Sequence, residues 1–138
     1  MKLNDDHFCF VCGKNNPDGL HIKFEYPQPG ACRAEFIPAV KFQGWQGILH
    51  GGIVSTLLDE ALAHAAGGSE GGGGASGAVT AELIVRFKKP IKIGEKVILS
   101  GRVTEDKGRM VEAESEIADL QGNVLASASG KLVRPVKK

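Results

Sequence analysis

Apolar and polar residues alternate near the start of the chain. Every second residue is apolar at residues 20–26 and again at residues 32–36, and a PQPG turn separates the two runs. A period of two is typical of strands that bury one face. The pattern therefore predicts two short strands that pair antiparallel at the start of the fold.

After Gly51 the apolar residues recur every three to four positions instead of every second one. In the segment GGIVSTLLDEALAHAA the apolar side chains form one stripe, which consists of Val54, Leu57, Leu58, Ala61, Leu62 and Ala65. Such a stripe predicts a helix of about four turns with one buried face. Gly67 and Gly68 predict its end, and the glycine-rich run that continues to residue 77 predicts a mobile loop.

Strand character returns after that loop in four segments, at residues 80–87, 97–104, 111–117 and 124–132. Asp106-Lys107-Gly108 predicts one hairpin turn between them, and Gly122 predicts another. Two strands, one long helix and three or four further strands predict an α+β fold in which an antiparallel sheet curls around the helix.

The length of 138 residues is that of one domain with one core. Residues 1–19, rich in Gly, Pro, Asn and Asp, are predicted to form a loop or cap on it. The helix has a second face that the sheet does not cover, and a small sheet leaves open edges. Self-association protects both, so at least a dimer is expected.

Charge and composition narrow the range of partners and locations. Lys and Arg number 17 against 16 Asp and Glu, so no overall field attracts nucleic acid or an anionic membrane. The sequence has neither an export signal nor a run of about 20 apolar residues, which predicts a cytoplasmic protein without a membrane span. Three cysteines in such a chain predict reduced thiols.

The Cys9-x-x-Cys12-Gly13 motif resembles half of a zinc knuckle, and His7 or His21 would be the candidate further ligands. A closed tetrahedral site usually shows a second tight pair of ligands, which this segment lacks. The favoured interpretation is two thiols in a capping segment, so neither a metal nor an organic cofactor is expected.

The candidate chemistry lies where the chain enters the helix. The first helical turn leaves N–H groups unpaired at the positive end of the dipole, and Gly51 and Gly52 let a carbonyl oxygen approach them. This predicts an oxyanion hole. At about 100° per residue, Asp59 lies within about 40° of Gly52, on a face of small side chains. A carboxylate there can attack a thioester carbonyl or deprotonate water, and an ordinary solvated residue is the alternative.

The runs FQGWQGILHGGIVSTLLDE and TAELIVRFKKPIKIGE resemble the hotdog-fold acyl-CoA thioesterases related to the phenylacetate-pathway and 4-hydroxybenzoyl-CoA enzymes. The resemblance extends over roughly residues 20–134. It implies a curved antiparallel sheet wrapped around one long central helix, which a His-Gly-Gly motif opens. It also implies homodimers, often paired into tetramers, with each site assembled across the subunit interface.

The resemblance assigns roles to individual residues. The acid nine residues after the motif histidine, here Asp59, is implied to be the nucleophile or general base. The amide of Gly51 is implied to polarise the thioester carbonyl, Thr80 to assist near the attacking water, and His50 to orient the substrate or the motif loop. Acyl-CoA would be the substrate, and CoA enters only as part of it.

Further residues are expected to contact the substrate. Gly52 continues the motif, and Gln43 or Gln46 is expected to replace an Asn or Gln that relatives carry where this chain has Gly44. Arg86 and Lys88 are candidates for the CoA phosphates, with a solvated strand end as the alternative.

Hydrolysis of an acyl-CoA to free acid and CoA is therefore the expected activity. Two other functions fit a hotdog fold. One is an enoyl-CoA hydratase or dehydratase that uses Asp59 with His50, and the other is an acyl-CoA-binding protein without catalysis.

Overall fold

A computed structural model describes residues 3–67 and 77–135. In chain order the elements are β1 (Ala31–Phe36), a single 3-10 turn (Val40–Phe42), α1 (Gly51–Gly67), β2 (Val79–Phe87), β3 (Val97–Asp106), β4 (Met110–Ala118) and β5 (Val124–Val133). The strands form one antiparallel sheet in the order β1-β3-β4-β5-β2. Helix α1 contacts all five strands, which confirms the predicted α+β hotdog architecture.

The core lies between α1 and the inner face of the sheet. The whole predicted stripe of α1 is buried, and His64 is buried with it. From the sheet, alternate residues of β3 and β4 face the helix, among them Leu99, Val111 and Ile117. Because a fully buried Leu or Ile side chain contributes about 1.5–3 kcal/mol, this interface is the main source of the fold's stability.

Two glycines let the helix approach the sheet closely. A Cβ on Gly101 of β3 would lie 2.5 Å from the Ala61 carbonyl oxygen of α1, and one on Gly130 of β5 would lie 2.6 Å from Leu62 Cδ1. Real Cβ atoms do not approach a backbone oxygen so closely. A side chain at position 101 would therefore force α1 and β3 apart.

Gly101→Ala is accordingly expected to lower the free energy of unfolding by about 1–3 kcal/mol, the usual effect of overpacking a core. Urea denaturation followed by circular dichroism measures it. Ser100→Ala, one residue away and only half-buried, is the control and should change stability little. Equal stability of the Gly101→Ala variant and the wild type would show that the helix–sheet spacing is not fixed by this glycine.

The prediction of a first strand at residues 20–26 is wrong. Residues 20–26 bury Leu20 and Ile22, as the alternation indicates, but only Glu25 pairs with β1, through a single bridge to Arg33. The amides of Leu20 and Ile22 instead donate to backbone oxygens of residues 10 and 11. Alternation reports which side chains are buried and not which backbone pairs with them, so it could not reveal this partner.

The turns and the end of the helix agree with the sequence. Gly108 and Gly122 adopt φ values of 85° and 88° in the β3–β4 and β4–β5 turns, as turn glycines do. Helix α1 ends at Gly67, and most of the predicted glycine-rich loop, residues 68–76, lies outside the described residues. Arg134 joins the end of the helix to the β3–β4 turn, since it donates to the Ala66 oxygen and to both carboxylate oxygens of Asp106.

Strand β2 lies at one edge of the sheet and pairs only with β5 in the part of the chain that the structure describes. Val79, Ile84 and Phe87 along it are 42%, 50% and 61% exposed. An open edge with exposed apolar side chains favours pairing with another chain. No helix within the described ranges is long and apolar enough to cross a membrane.

Candidate active site

A compact loop leads the chain into α1. The Gly44 amide donates to the Ile48 oxygen, and the His50 amide donates to the Phe42 oxygen. The side chain of Gln43 accepts a 3.0 Å hydrogen bond from the Gly47 amide. Gln43 therefore stabilises this loop, although both Gln43 and Gln46 are exposed.

His50 caps the N-terminus of α1. Its carbonyl oxygen accepts from the Ile53 and Val54 amides, and its ring Nδ1 accepts a 2.8 Å hydrogen bond from the Gly52 amide. For the exposed Gly51 amide, no acceptor occurs among the described residues. Of the two glycine amides that the sequence offers as oxyanion donors, Gly52 is occupied by the cap and Gly51 is free.

Asp59 is half-buried two turns further along α1. Its Oδ1 accepts a 2.7 Å hydrogen bond from the Thr80 hydroxyl at the start of β2. The β2–β5 register shifts between Thr80 and Glu82, directly after the residue that donates to Asp59. Oδ2 of Asp59 has no hydrogen-bond partner within the described residues and can accept a proton or attack an electrophile.

The free amide and the carboxylate are far apart within one chain. Gly51 and Asp59 are eight residues apart on α1, which corresponds to about 12 Å along the axis at about 1.5 Å per residue. At about 100° per residue they also lie about 80° apart around the helix, whereas Gly52 is the glycine predicted to lie on the same face as Asp59. The prediction that both act on one carbonyl carbon stays a prediction, and the separation favours a site to which two copies of the chain contribute.

A groove of about 750 Å³ borders the free amide. His50, Gly51 and Phe87 contribute to its wall, and Lys88 and Lys89 lie at its side. A groove of this size is in the range of small-molecule sites, and most of its wall is apolar. Arg86, one residue before Phe87, is not part of this groove and lies on the outer face of the sheet.

A second polar cluster occupies the other side of α1. This Glu60 cluster consists of Cys9, Cys12, Tyr26, Glu60 and His64. Glu60 Oε1 lies 3.4 Å from Cys12 Sγ and 3.2 Å from His64 Nε2, and the Tyr26 hydroxyl is 2.7 Å from His64 Nδ1. The sequence contains two signals for this cluster, the C-x-x-C motif and the i, i+4 spacing of Glu60 and His64. Nothing in the sequence shows that the motif contacts this part of the helix.

The protonation states within the Glu60 cluster follow from burial and hydrogen bonding. Burial alone would raise the pKa of the Glu60 carboxyl, but hydrogen bonds from His64 and the two thiols hold that pKa below its ordinary value. Burial, followed by the charge of Glu60, raises the pKa of the Cys12 thiol far above its usual range. Burial also raises the pKa of the Tyr26 hydroxyl to about 12. Glu60 therefore stays ionised in this cluster at neutral pH.

Comparison with protein families identifies a match over the region that holds the candidate site. The sequence profile of the thioesterase superfamily matches residues 46–126, which are more than half of the chain. The matched region contains the His50-Gly51 entrance to the helix together with Asp59 and Thr80. The resemblance to hotdog thioesterases is thereby confirmed at the level of the superfamily.

Two curated proteins are similar to the chain. The candidate esterase SSO1253 of Saccharolobus solfataricus is 33% identical over 114 residues, which are 83% of this chain and 73% of that protein. The acyl-coenzyme A thioesterase THEM4 of Bos taurus is 28% identical over 93 residues, which are 67% of this chain and 36% of THEM4. The chain thus spans about a third of the length of THEM4.

A solved structure shows the same fold. The protein smu.793 of Streptococcus mutans UA159, in a crystal structure bound to acetyl-CoA, matches with a TM-score of 0.73. The match covers 85% of this chain and 90% of that protein at 18% identity. At this identity the likeness concerns the fold alone, and it agrees with the five-stranded sheet and single long helix described above.

Proposed function

The chain belongs to the thioesterase superfamily, and on that premise we propose that it hydrolyses acyl-CoA thioesters to the free acid and CoA. The observation that carries the proposal is the pair formed by Asp59 and Thr80. A half-buried carboxylate, fixed through one oxygen by a hydroxyl, keeps its second oxygen available for reaction. Such a group can attack a thioester carbonyl or take a proton from the water that does.

The proposed reaction needs a donor for the oxyanion as well as a base. As the carbonyl carbon becomes tetrahedral, its oxygen gains negative charge, and the unpaired Gly51 amide at the N-terminus of α1 is suited to stabilise it. His50 contributes by capping the helix through the Gly52 amide, which holds the motif loop in place. The bond to sulfur then breaks, and CoA leaves as the thiol. This scheme uses neither an organic cofactor nor a catalytic metal.

The distance between Gly51 and Asp59 is the reason to propose a homodimer as the active unit. Thr80 and Asp59 lie at one end of the edge strand β2, and Phe87 with Gly51 lies at the other end. If two copies pair their β2 strands antiparallel about a twofold axis near mid-strand, the Thr80 end of one copy meets the Phe87 end of the other. Asp59 of each copy then faces the free amide of its neighbour.

The exposed apolar residues of β2 support the same arrangement. Val79, Ile84 and Phe87 would be covered in such a dimer, and the open edge would become the centre of a continuous sheet. Two sites per dimer result, each built from both copies. Pairing of dimers into tetramers is part of the proposal, as the family resemblance implies.

Lys88 and Lys89 are the residues we assign to the CoA phosphates. Both border the groove that holds the Gly51 amide, so an acyl chain in the groove would place its CoA portion beside them. Binding of acetyl-CoA by the related fold of smu.793 supports a CoA ester as ligand. Arg86 is the weaker candidate because it lies on the outer face of the sheet.

The proposed function is tested by incubating the protein with a panel of acyl-CoAs of different chain length and headgroup. The quantity measured is the release of the free CoA thiol. Hydrolysis of at least one member, with oxygen esters of the same acids cleaved much more slowly, is the expected result. Binding of acyl-CoA without release of thiol by any member would favour a non-catalytic binding protein. Formation of a hydroxyacyl product from an enoyl-CoA would favour the hydratase.

Thr80→Val is expected to lower kcat by about tenfold to a hundredfold, since a hydrogen bond to a charged group contributes about 1.5–3 kcal/mol. Valine keeps the shape of threonine but cannot donate to Asp59. Thr80→Ser retains the hydroxyl and should preserve most of the activity. Steady-state kinetics of the three proteins measures this. Loss of activity in the Ser variant with wild-type activity in the Val variant would show that packing, not the hydrogen bond, is what matters.

A further inference from the structure

The N-terminal segment folds its two cysteines into a tight turn. The Val11 amide donates to Cys9 Sγ at 3.4 Å, and the Gly13 amide donates to the Cys9 oxygen at 2.9 Å. A Cβ on Gly13 would lie 2.2 Å from the backbone nitrogen of Cys9, so only glycine permits this turn. The turn directs both sulfur atoms to the same side, and the Val11 amide donates to one of them.

Glu60 of α1 completes a set of three ligand atoms. Its Oε1 lies 3.4 Å from Cys12 Sγ and 3.7 Å from Cys9 Sγ. The two sulfurs and a carboxylate oxygen all lie within 4.8 Å of one another. In a tetrahedral zinc site with Zn–S of about 2.3 Å and Zn–O of about 2.0 Å, the sulfur-to-oxygen edge is about 3.5 Å. The spacing of the side chains therefore fits a common ion between them.

A chain of buried groups orients Glu60 toward the sulfurs. His64 Nε2 lies 3.2 Å from Glu60 Oε1, and His64 Nδ1 lies 2.7 Å from the Tyr26 hydroxyl. The ring of His64 is only 2% exposed and stacks on Phe24 at 3.9 Å between centroids. If Tyr26 donates to Nδ1, then Nε2 carries the proton and donates to Glu60. Hydrogen bonds of this kind to a metal-binding carboxylate fix its orientation.

We propose that Cys9, Cys12 and Glu60 bind one zinc ion, with a water molecule in the fourth position. Two thiolates and a carboxylate suit zinc better than magnesium or calcium, which prefer oxygen ligands. Binding releases the two thiol protons to solvent and needs no redox partner. His7 and His21, the ligands that the sequence suggested, are not part of the site, since they contact Asp5 and Asn16.

The ion has a structural role. It joins the N-terminal segment, whose described residues form no strand, to the middle of α1, about 100° around the helix from Asp59. Asp59 precedes Glu60 on the same turn, so fixing Glu60 also restrains the part of the helix that carries the proposed base. The zinc site does not depend on the proposed function, and its test uses a readout other than activity.

Elemental analysis of the full chain, purified without chelator or added metal, is the first experiment. About one zinc ion per chain is expected for the wild type and for Cys32→Ser, whose thiol lies outside the ligand set. Cys9→Ser, Cys12→Ser and Glu60→Gln should each bind far less. Removal of zinc from the wild type should lower Tm by about 5 °C or more, and zinc should restore it.

A second measurement keeps the proposal testable if these variants do not fold. Cobalt added to the metal-free wild type should give tetrahedral d–d absorption and thiolate-to-cobalt charge transfer. Cys12→His keeps a metal ligand, so it should still bind cobalt with about half of the charge-transfer intensity. Less than a tenth of an equivalent of zinc in the wild type after incubation with zinc, or a cobalt spectrum without thiolate bands, would overturn the proposal. So would a wild type purified with Cys9 and Cys12 joined as a disulfide that binds no metal.

Discussion

Asp59→Asn is expected to lower kcat for acyl-CoA hydrolysis by about 10²–10⁴-fold, the usual contribution of a general base or a carboxylate nucleophile. Asparagine has the size of aspartate, and its side-chain oxygen still accepts the hydrogen bond from Thr80 that Asp59 accepts at 2.7 Å. It is neither a base nor a nucleophile at neutral pH. The variant should therefore fold and bind CoA esters like the wild type.

The measurement is the rate of thiol release under saturating substrate, together with Kd for a non-hydrolysable acyl-CoA analogue. Asp18→Asn is the matched control, because it makes the same Asp-to-Asn change at an exposed residue of the N-terminal segment, outside β2 and α1. It should retain the wild-type rate. A rate for Asp59→Asn within about threefold of the control would remove Asp59 from the mechanism, given the contribution expected of a base.

The sequence predicts the helix and its orientation well because one stripe of apolar side chains is enough to define both. Leu57, Leu58 and Leu62 have almost no exposed surface, and Asp59 lies off that stripe, as the 100° step of a helix requires. The same step also predicts that Glu60 points toward His64, which the structure confirms. These features depend only on local geometry along one element.

Contacts between segments that are distant in the sequence were harder to predict. Residues 20–26 have the alternation of a strand, yet most of their backbone partners come from the N-terminal segment and not from the sheet. In the same way the C-x-x-C motif was visible in the sequence, but its third ligand, Glu60, lies 48 residues beyond Cys12. Spacing along the chain carries no information on such a contact.

The sequence also does not identify which amide is available to bind the oxyanion. The motif offers two glycine amides, and a pattern cannot tell which of them the preceding histidine occupies. In the structure His50 Nδ1 accepts from the Gly52 amide, and the Gly51 amide has no acceptor in the described part of the chain. The helix rise then separates Gly51 from Asp59 by about 12 Å, which directs attention to a second copy of the chain.

The sharing of sites between two copies leads to a complementation experiment. Gly51→Pro removes the free amide at the first position of α1, where proline is tolerated because its missing N–H has no partner within the helix. Loss of one oxyanion donor is expected to reduce kcat by about 10²–10³-fold. Gly51→Ala retains the amide, and its Cβ would lie in ordinary contact at 3.6 Å from Phe87, so it is the control for the added side chain.

Asp59→Asn and Gly51→Pro are each expected to be nearly inactive as homodimers, but in the proposed arrangement a heterodimer of the two contains one site with both native groups. Co-expression in equal amounts should give heterodimers as about half of all dimers, and hence about a quarter of the wild-type rate per chain. Two affinity tags allow the heterodimer to be purified, and its rate should approach half that of the wild type. If the purified heterodimer is as inactive as its parents, each site uses Gly51 and Asp59 from the same chain. In that case the proposed β2 pairing is not the one that builds the active site.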